Sequence, residues 1–560
     1  MRKNIQKIAL LVMCLLANAC TTLTDSAGTF TITVVGTNDV HGELANFRGG
    51  LSNFSGYVSI LRNARAPHGA VVLLDAGDMW QGTLESNINE GAAVVSVYNA
   101  LGFDAATIGN HEFDFGPVGE RFIPEEPGDD PQGALKLRAS EAEFPIVAAN
   151  LIDVETGRPI AWDNVKPSAM ISKRGVKIGV IGVTTAETLQ STIRANTRGL
   201  AMAPLAPTIE REARALKSDG AQLVIVVAHA GGECLSFEDP TDLSSCEQDD
   251  EIFRVARALT PGLVDQIIGG HHHEGIAHVV NGIAITSAYK SAVAFDRVDY
   301  EFESSTGALV AREVFPPQPI CGHVDSAGDC VRHDAPQARV AQYEGKAVAP
   351  MPSVQRLIDP AIAAAASLKA EPLGVTALTP ITREGEPNAA IGRLMTDAIL
   401  EATGADVAIH NVAGGIRADF PAGDLTFGDV FRVFPFDNRI SVLDVTGSDL
   451  RKLLTHQVHN ATRRAGISGL RVTVVCQNNT LSLTMQLNDG RLIEDDDVVR
   501  LASNDFLLLG GDAIFDPITP EGGFEIDTSQ PKVRDVWVDW FRARGGSLSA
   551  SDYLTPEQTR

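Results

Sequence analysis

Five short apolar segments of this sequence end in residues that can bind a divalent metal ion. In chain order, these residues are Asp39, His41, Asp78, Asn110, His229, His271 and His273. Carboxylate, imidazole and amide groups form a mixed oxygen and nitrogen ligand set, which suits Zn, Mn, Fe or Co better than Ca or Mg alone. The set is large enough for two ions, and a shared carboxylate would hold them close together, as two-metal hydrolysis requires.

Each of these motifs taken alone has an ordinary structural explanation. Asp39-x-His41 is also typical of a solvated loop or of a helix N-cap. Gly77-Asp78 is typical of a turn, and an isolated His229 is typical of a hydrogen-bonded core histidine. Because five segment ends carry such residues, a single site explains the set better than five coincidences do.

The segments that must position these residues alternate between strand-like and helix-like patterns. The predicted strands cover residues 30–36, 70–74, 105–108, 145–149, 177–183, 223–228, 264–268 and 283–286, and helices are predicted over 92–101 and 208–217. This alternation predicts an α/β fold, in which ligand sites form at the carboxyl ends of strands. Asp39 and His41 are two residues apart, so an extended backbone would point both side chains the same way.

Composition excludes several classes of protein. With 44% hydrophobic and 21% charged residues, the 560-residue chain is typical of a globular protein and not of a disordered, collagen-like or coiled-coil one. Its net charge of −25 repels nucleic-acid backbones, so we expect no nucleic-acid polymer as a partner. An anionic substrate would therefore need metal ions or a local arginine cluster. The oligomeric state is left open.

The first residues predict export. A basic start, an apolar run over 8–17 and the Ala17-Asn18-Ala19 cleavage pattern indicate a signal peptide over 1–19. Cys20 follows directly, so plain cleavage and a lipid anchor at Cys20 are both open. We expect a periplasmic protein, or one tethered to the outer membrane or cell surface.

Five further cysteines lie in the mature chain. Cys234 with Cys246, and Cys321 with Cys330, form close pairs that predict two disulfides in an exported protein, although four cysteines allow three connectivities. Cys476 lies in an apolar run and is predicted to be a buried free thiol.

Changes in composition divide the mature chain into two domains. We predict a first domain over 28–315, a Pro- and Gly-rich linker with a connecting helix (354–370) over 316–372, and a second α/β domain over 373–555.

The metal motifs match, in order, those of the calcineurin-like metallophosphatases. The matching residues are Asp39-x-His41, Gly77-Asp78, Gly109-Asn110-His111-Glu112, His229 and Gly270-His271-x-His273. Nearly the whole mature chain resembles the exported 5′-nucleotidase family, which includes UDP-sugar hydrolases and 2′,3′-cyclic phosphodiesterases. The resemblance implies a four-layer α/β/β/α sandwich followed by a smaller α/β domain.

The same resemblance implies two divalent metal ions, such as Zn or Mn, bridged by Asp78. It assigns one ion to Asp39, His41, Asp78 and His273, and the other to Asp78, Asn110, His229 and His271. A metal-bound hydroxide would attack phosphorus in line. His111 would act as a catalytic residue that faces the phosphate, paired with Asp114. Glu112 and His272 have no role in the family and are interpreted as structural or solvated.

Two Phe residues in polar, Gly-rich surroundings are candidates for nucleotide binding. Phe436 and Phe506 are able to stack on a flat ring, and Arg417 to hold a phosphate, but core packing and a surface ion pair explain the same residues. The resemblance implies a substrate site made of Arg383, Asn411, Arg417, Phe436, Asn438, Phe506 and Asp512. The two Phe rings would sandwich the base. In the family an Asn lies five residues before this Arg; here that position is Val412, and Asn411 comes one residue earlier.

The expected function is release of phosphate from nucleoside 5′-monophosphates. UDP-sugar or 2′,3′-cyclic nucleotide hydrolysis on the same site is an alternative. A sulfur-ester hydrolase is disfavoured because a small inorganic substrate needs no base clamp. An exported nucleotide- or metal-binding protein without turnover is an alternative of another class, which the complete ligand set and His111 disfavour.

Overall fold

The computed structural model describes residues 28–383, 389–459, 465–477 and 480–553. The predicted signal peptide over 1–19 and the predicted lipid anchor at Cys20 lie outside the described residues. Within the described ranges, no helix is both long enough and apolar enough to cross a membrane.

Two stacked sheets form the centre of the N-terminal domain. Their strands are β1 (Thr29–Thr37), β2 (Gly69–Asp75), β3 (Ala105–Thr107), β4 (Ile146–Val147), β5 (Val165–Lys166), β6 (Ser168–Lys173), β7 (Val176–Thr184), β8 (Leu223–His229), β9 (Gln266–Gly269), β10 (Gly275–Val280), β11 (Ile283–Ala288), β12 (Ala294–Glu303) and β13 (Leu309–Pro319). The first sheet has the order β13-β12-β1-β2-β3-β4-β5, and the second has the order β10-β11-β9-β8-β7-β6.

Helices pack around the two sheets. They are α1 (Gly50–Arg65), α2 (Leu84–Asn87), α3 (Ala92–Leu101), α4 (Gly133–Glu141), α5 (Leu205–Ser218) and α6 (Glu251–Ala258). On β1, Val34 lies in the core between the two sheets and its neighbour Val35 lies in the core beneath α1 and α3, as the alternation of side chains along a strand requires. The second sheet packs on α5 and α6. The expected four-layer sandwich is confirmed.

The central strands of each sheet run parallel. Strands β1 to β5 are parallel to one another, and so are β7, β8, β9 and β11. All eight predicted strands are present, though β4 is shorter than the predicted 145–149, and α3 has the predicted bounds. The parallel arrangement brings the carboxyl ends of the central strands to one edge of the sandwich.

A long helix connects the two domains. Helix α7 (Pro352–Lys369) corresponds to the connecting helix that was predicted over 354–370. Its residues Val354 and Ile358 pack in the core beneath the first sheet, and Ala365 packs against Leu84 of α2 and Phe431 of the C-terminal domain. The connecting helix is therefore held by both domains.

The C-terminal domain is a smaller α/β unit. Its strands are β14 (Pro372–Ala377), β15 (Val407–Asn411), β16 (Gly423–Thr426), β17 (Ile440–Thr446), β18 (Ala465–Ser468), β19 (Leu470–Gln477), β20 (Thr480–Leu487), β21 (Val498–Asn504) and β22 (Gly546–Leu548). Its helices are α8 (Ala390–Thr403), α9 (Phe427–Val433), α10 (Gly447–His459), α11 (Asp505–Leu508) and α12 (Val533–Arg544). The sheets have the orders β17-β21-β15-β18 and β16-β14-β22, with β19-β20 as a separate pair.

The cysteines follow the predictions with one exception. Cys234 is bonded to Cys246, and Cys321 to Cys330, which confirms the two predicted pairs of neighbours. The prediction of a buried Cys476 is wrong, because this thiol is exposed. It lies on β19, which within the described ranges pairs only with β20, and Val474 and Val475 beside it are also exposed. The apolar run therefore belongs to a two-stranded ribbon and not to a covered sheet.

Candidate active site

The predicted metal ligands meet at the carboxyl edge of the two sheets. Asp39 and His41 follow β1, Asp78 follows β2, Asn110 follows β3, His229 ends β8, and His271 and His273 follow β9. Five of them form two overlapping groups of ligand atoms, Asp39 with His41 and His273, and Asp39 with Asp78 and His229.

The first group consists of Asp39, His41 and His273. The Nε2 atoms of His41 and His273 are 3.1 Å apart. Asp39 Oδ1 lies 3.4 Å from Nε2 of His273 and 3.9 Å from Nε2 of His41. One carboxylate and two imidazoles thus converge on one point.

The second group is centred on His229. Its Nε2 lies 3.2 Å from Asp78 Oδ2 and 3.0 Å from Asn110 Oδ1, and the same amide oxygen is 3.1 Å from Nδ1 of His271. Asp78 Oδ2 also lies 4.0 Å from Nε2 of His41. Asp78 therefore lies between the two groups.

Backbone carbonyls orient two of the imidazoles. Nδ1 of His41 lies 2.9 Å from the carbonyl of Gln81, and Nδ1 of His229 lies 2.9 Å from the carbonyl of Ala76. A carbonyl only accepts hydrogen bonds, so each Nδ1 carries a proton, and a ring that carries no second proton presents the lone pair of Nε2 to the site. Nitrogen lone pairs that converge without a proton between them fit a divalent cation. The chemistry of these donor atoms therefore fits a metal site.

Positive charge stabilises the buried carboxylates of the site. Burial alone would raise the pKa of Asp39, yet the hydrogen bond and charge of His273 hold it below the ordinary value. Burial opposes protonation of His229, but the carboxylate of Asp78 raises the pKa of this imidazole to about 10. A bound cation would stabilise the carboxylates of Asp39 and Asp78 in the same way, because both are shielded from water.

The backbone around the site differs from the predicted extended form. Asp39 and His41 have φ values of 48° and 50°, so they meet through a tight left-handed loop and not through an extended strand. Asp78, at φ 56°, is also left-handed. A Cβ on Gly109 would lie 2.1 Å from Asp78 Oδ1, so only glycine fits beside this carboxylate.

Glu112 has a structural role, as interpreted from the sequence. Its buried carboxylate accepts hydrogen bonds from the backbone N–H groups of Gly109, Asp78 and Met79 at 2.6–2.8 Å. It thereby joins the loops after β2 and β3. The side chain of His272 is exposed, which agrees with its interpretation as a solvated residue.

His111 begins a short 3₁₀ turn (His111–Phe113) that brings its ring to Asp114. Nδ1 of His111 lies 2.6 Å from Asp114 Oδ2, and the other carboxylate oxygen accepts a hydrogen bond of 2.9 Å from the Thr192 hydroxyl. Nε2 of His111 faces the C-terminal domain, where the guanidinium of Arg417 lies 2.6 Å away. The ring is thus held between a carboxylate and a cation.

A cavity of about 1450 Å³ extends from the metal-ligand edge into the C-terminal domain. All seven predicted substrate residues line it, namely Arg383, Asn411, Arg417, Phe436, Asn438, Phe506 and Asp512. The Phe436 ring stacks 5.6 Å from the His111 ring and 5.3 Å from the Arg417 guanidinium. Phe506 packs instead against Phe122 and Ile193 of the N-terminal domain. The two rings therefore approach the cavity from different walls.

The polar members of the set are held by neighbours. Nδ2 of Asn411 donates to Asp512 Oδ2 at 2.7 Å, while Val412 is buried in the core. Asn411 is thus the residue that reaches the cavity. Asn438 donates to Asp505 at 3.2 Å, and Arg383 donates to the carbonyl of Ile416 at 3.2 Å.

Sequence reasoning missed several cations that line the cavity, namely Arg138, Lys290, Arg439, Lys532 and Arg534, and one that lies outside it, Arg194. Lys290 lines the cavity two residues after the end of β11, and Arg194 donates a hydrogen bond of 3.2 Å to the carbonyl of Gly510. Lys290 had a signal in the sequence, because it follows the predicted strand over 283–286. Arg194 lies in a loop without such a signal.

The fold and the site define a metal-dependent hydrolase of phosphoric esters. Residues 32–275 match the family model of the calcineurin-like phosphoesterases, and residues 368–518 match that of the 5′-nucleotidase C-terminal domain. The chain therefore belongs to the family in which a calcineurin-like phosphoesterase domain precedes a 5′-nucleotidase C-terminal domain.

Individual proteins show the same similarity over most of the chain. Protein UshA of Yersinia enterocolitica is 26% identical over 542 residues, which covers 91% of this chain and 90% of that protein. A 5′-nucleotidase of Vibrio parahaemolyticus is 27% identical over 451 residues, covering 75% of this chain and 74% of its own. The crystal structure of a 5′-nucleotidase precursor from Thermus thermophilus has a TM-score of 0.70 at 22% identity, covering 94% of this chain and 98% of its own; it shares the fold.

Proposed function

We propose that the protein is an exported phosphohydrolase that uses two divalent metal ions, such as Zn or Mn, to release phosphate from nucleoside 5′-monophosphates. The observation that carries the proposal is the meeting of the ligand cluster, the His111–Asp114 pair and the aromatic residues of the C-terminal domain around one cavity. The names of the relatives, two of them 5′-nucleotidases, support the substrate class.

Asp39, His41, Asp78 and His273 would hold one ion, and Asp78, Asn110, His229 and His271 the other. Bound there, the ions would activate a water molecule and neutralise the phosphoryl oxygens. The Arg417 guanidinium would bind two phosphoryl oxygens at once, because its donors match their geometry. Phe436 and Phe506 would stack on the base, and Asp512 would bind the ribose hydroxyls.

His111 would stabilise charge that develops on the phosphoryl group. Asp114 accepts a hydrogen bond from Nδ1 at 2.6 Å and so holds Nε2 toward the reacting group. The protonated Nε2 would then donate to an oxygen of the reacting group in the transition state, in a site shielded from water. Asp114 is the orienting partner, itself held by Thr192.

Export is supported by the cysteines. Two disulfides within the described residues are typical of a protein that folds outside the reducing cytoplasm. The signal-peptide pattern over 1–19 adds to this proposal, and Cys20 leaves a lipid anchor open.

The test is phosphate release from AMP by the purified mature protein. We expect release with Mn²⁺ or Zn²⁺, none with EDTA, and none with the His111→Ala variant. Release from UDP-glucose or 2′,3′-cyclic AMP but not from AMP would move the function to a sister activity. Absence of turnover on all three, with two metal ions bound, would favour a binding protein.

A further inference from the structure

Lys290 is a cation in the cavity that the proposed function does not use. Lys290 lies on the loop that follows β11. It lines the cavity next to His273 and Glu274. Within the described ranges, its Nζ atom has no hydrogen-bond or ion-pair partner. A partly buried ammonium group normally has an anionic partner. We therefore expect an anion to bind beside Lys290.

The loop that carries Lys290 has an unfavourable backbone. Tyr289, Ser291 and Ala292 have φ values of 61°, 54° and 48°, which residues other than glycine rarely adopt. Such conformations persist where the surrounding structure enforces them, and they concentrate at functional sites.

The restraint comes from the loop that carries the metal ligand Asp39. Nδ2 of Asn38 donates to the carbonyl of Tyr289 at 2.6 Å, and the N–H of Ser291 donates to the carbonyl of Asp39 at 2.7 Å. The position of Lys290 is therefore coupled to the metal-ligand loop itself.

Three cations from two domains face the same part of the cavity. Burial, together with the charges of Arg417 and Arg383, lowers the pKa of Lys290 to about 8, which leaves it charged at neutral pH. The carboxylates of Asp39 and Glu274 act on the pKa of Lys290 in the opposite direction, and burial raises the pKa of Glu274 itself. Three positive charges gathered in this way repel one another unless an anion lies among them.

We propose that Lys290 is a phosphate-binding residue that, with Arg383 and Arg417, holds an oxyanion on the His273 side of the metal centre. The anion is a phosphoryl group, either that of the substrate or the released phosphate. The identity of this ligand rests on the proposed function. Lysine suits the role as a mobile point charge, whereas arginine provides a rigid fork.

The test compares the Lys290→Ala and Lys290→Arg variants with the intact protein, all loaded with Mn²⁺. Calorimetric titration with inorganic phosphate should show a Kd raised roughly 10- to 100-fold in Lys290→Ala, as expected for loss of a charge-assisted hydrogen bond. The KM for AMP should rise by a similar factor while kcat stays within about threefold. Lys290→Arg should recover most of both losses. Lys346→Ala, at an exposed position outside the cavity, serves as the control.

The outcomes separate the two proposals. Weakened phosphate binding by Lys290→Ala, in a protein that does not hydrolyse AMP, would support the phosphate site and reject the proposed function. A raised KM with unchanged affinity for free phosphate would assign Lys290 to the substrate's phosphoryl group. Unchanged KM and unchanged phosphate affinity would overturn the inference, as would loss of bound Mn²⁺ in both variants, because Lys290 would then be structural.

Discussion

Arg417 of the C-terminal domain lies 2.6 Å from Nε2 of His111 in the N-terminal domain. A guanidinium only donates hydrogen bonds, so Nε2 accepts, and the ring proton lies on Nδ1, which donates to Asp114. A charged donor from one domain is therefore in contact with the proposed catalytic imidazole of the other. A phosphoryl group that enters the site would exchange this direct contact for contacts with both residues.

Replacing His111 by alanine should lower kcat by about 10²- to 10⁴-fold, because the group that stabilises transition-state charge is lost. The metal content should stay unchanged, since in the proposed assignment His111 is not a ligand. Phosphate release and metal analysis by mass spectrometry check both expectations. His272→Ala is the matched control, because this exposed histidine lies among the ligands without joining them. Equal losses in the two variants would contradict the assignment.

Replacing Asp78 by asparagine should remove both metal ions. Its carboxylate lies between the two ligand groups, 3.2 Å from His229 and 4.0 Å from His41, and the amide carries no charge to offset the cations. Metal analysis after dialysis should show two ions per chain in the intact protein and fewer than one in the variant. Asp163→Asn, an exposed carboxylate, should keep both ions. Retention of one full ion by Asp78→Asn would argue against a bridging position.

Truncating either aromatic ring should weaken binding of the base. Phe436→Ala and Phe506→Ala should each raise the KM for AMP by about 5- to 100-fold, since stacking on a base contributes about 1–3 kcal/mol. Ribose 5-phosphate has no base, so its hydrolysis should change little. The ratio of kcat/KM for the two substrates isolates the contribution of the rings.

Phe47→Ala, a truncation of an exposed ring outside the cavity, is the control for these two variants. An equal loss on AMP and on ribose 5-phosphate would mean that the rings support the fold and not the base.

The carboxyl group of Asp296 should make the protein less stable as the pH rises. Burial raises the pKa of this group from 3.8 to about 7, so between these values the native state binds more protons than the unfolded chain. The free energy of unfolding therefore falls with rising pH across this window, and the full penalty is present above pH 7.

Asp296→Asn removes this titration. In urea unfolding with EDTA present, the variant should be more stable than the intact protein by roughly 1–4 kcal/mol at pH 8 and should differ much less near pH 4. Asp163→Asn should reproduce the pH dependence of the intact protein. If Asp296→Asn does so too, the native carboxyl does not titrate in this range.

The sequence determined the chemistry of the site because local rules govern it. Parallel strands bring their carboxyl ends to one edge of a sheet, so the residues at the ends of β1, β2 and β3, and those at the ends of β8 and β9, were expected to lie together. His111 and Asp114, three residues apart, needed only a single turn to make contact. The strands themselves followed from short runs of Val and Ile.

The tertiary structure decided what depends on long-range packing. The contact between His111 and Arg417 joins residues 306 positions apart, and no periodic pattern specifies it. The same holds for Cys476. Its apolar sequence run predicted a core position, but the residue lies on a two-stranded ribbon and is exposed. The left-handed loop of Asp39 depends on hydrogen bonds from segments distant in the sequence. Such features are set by the sum of many distant contacts, whereas strand ends and single turns are set by their own neighbours.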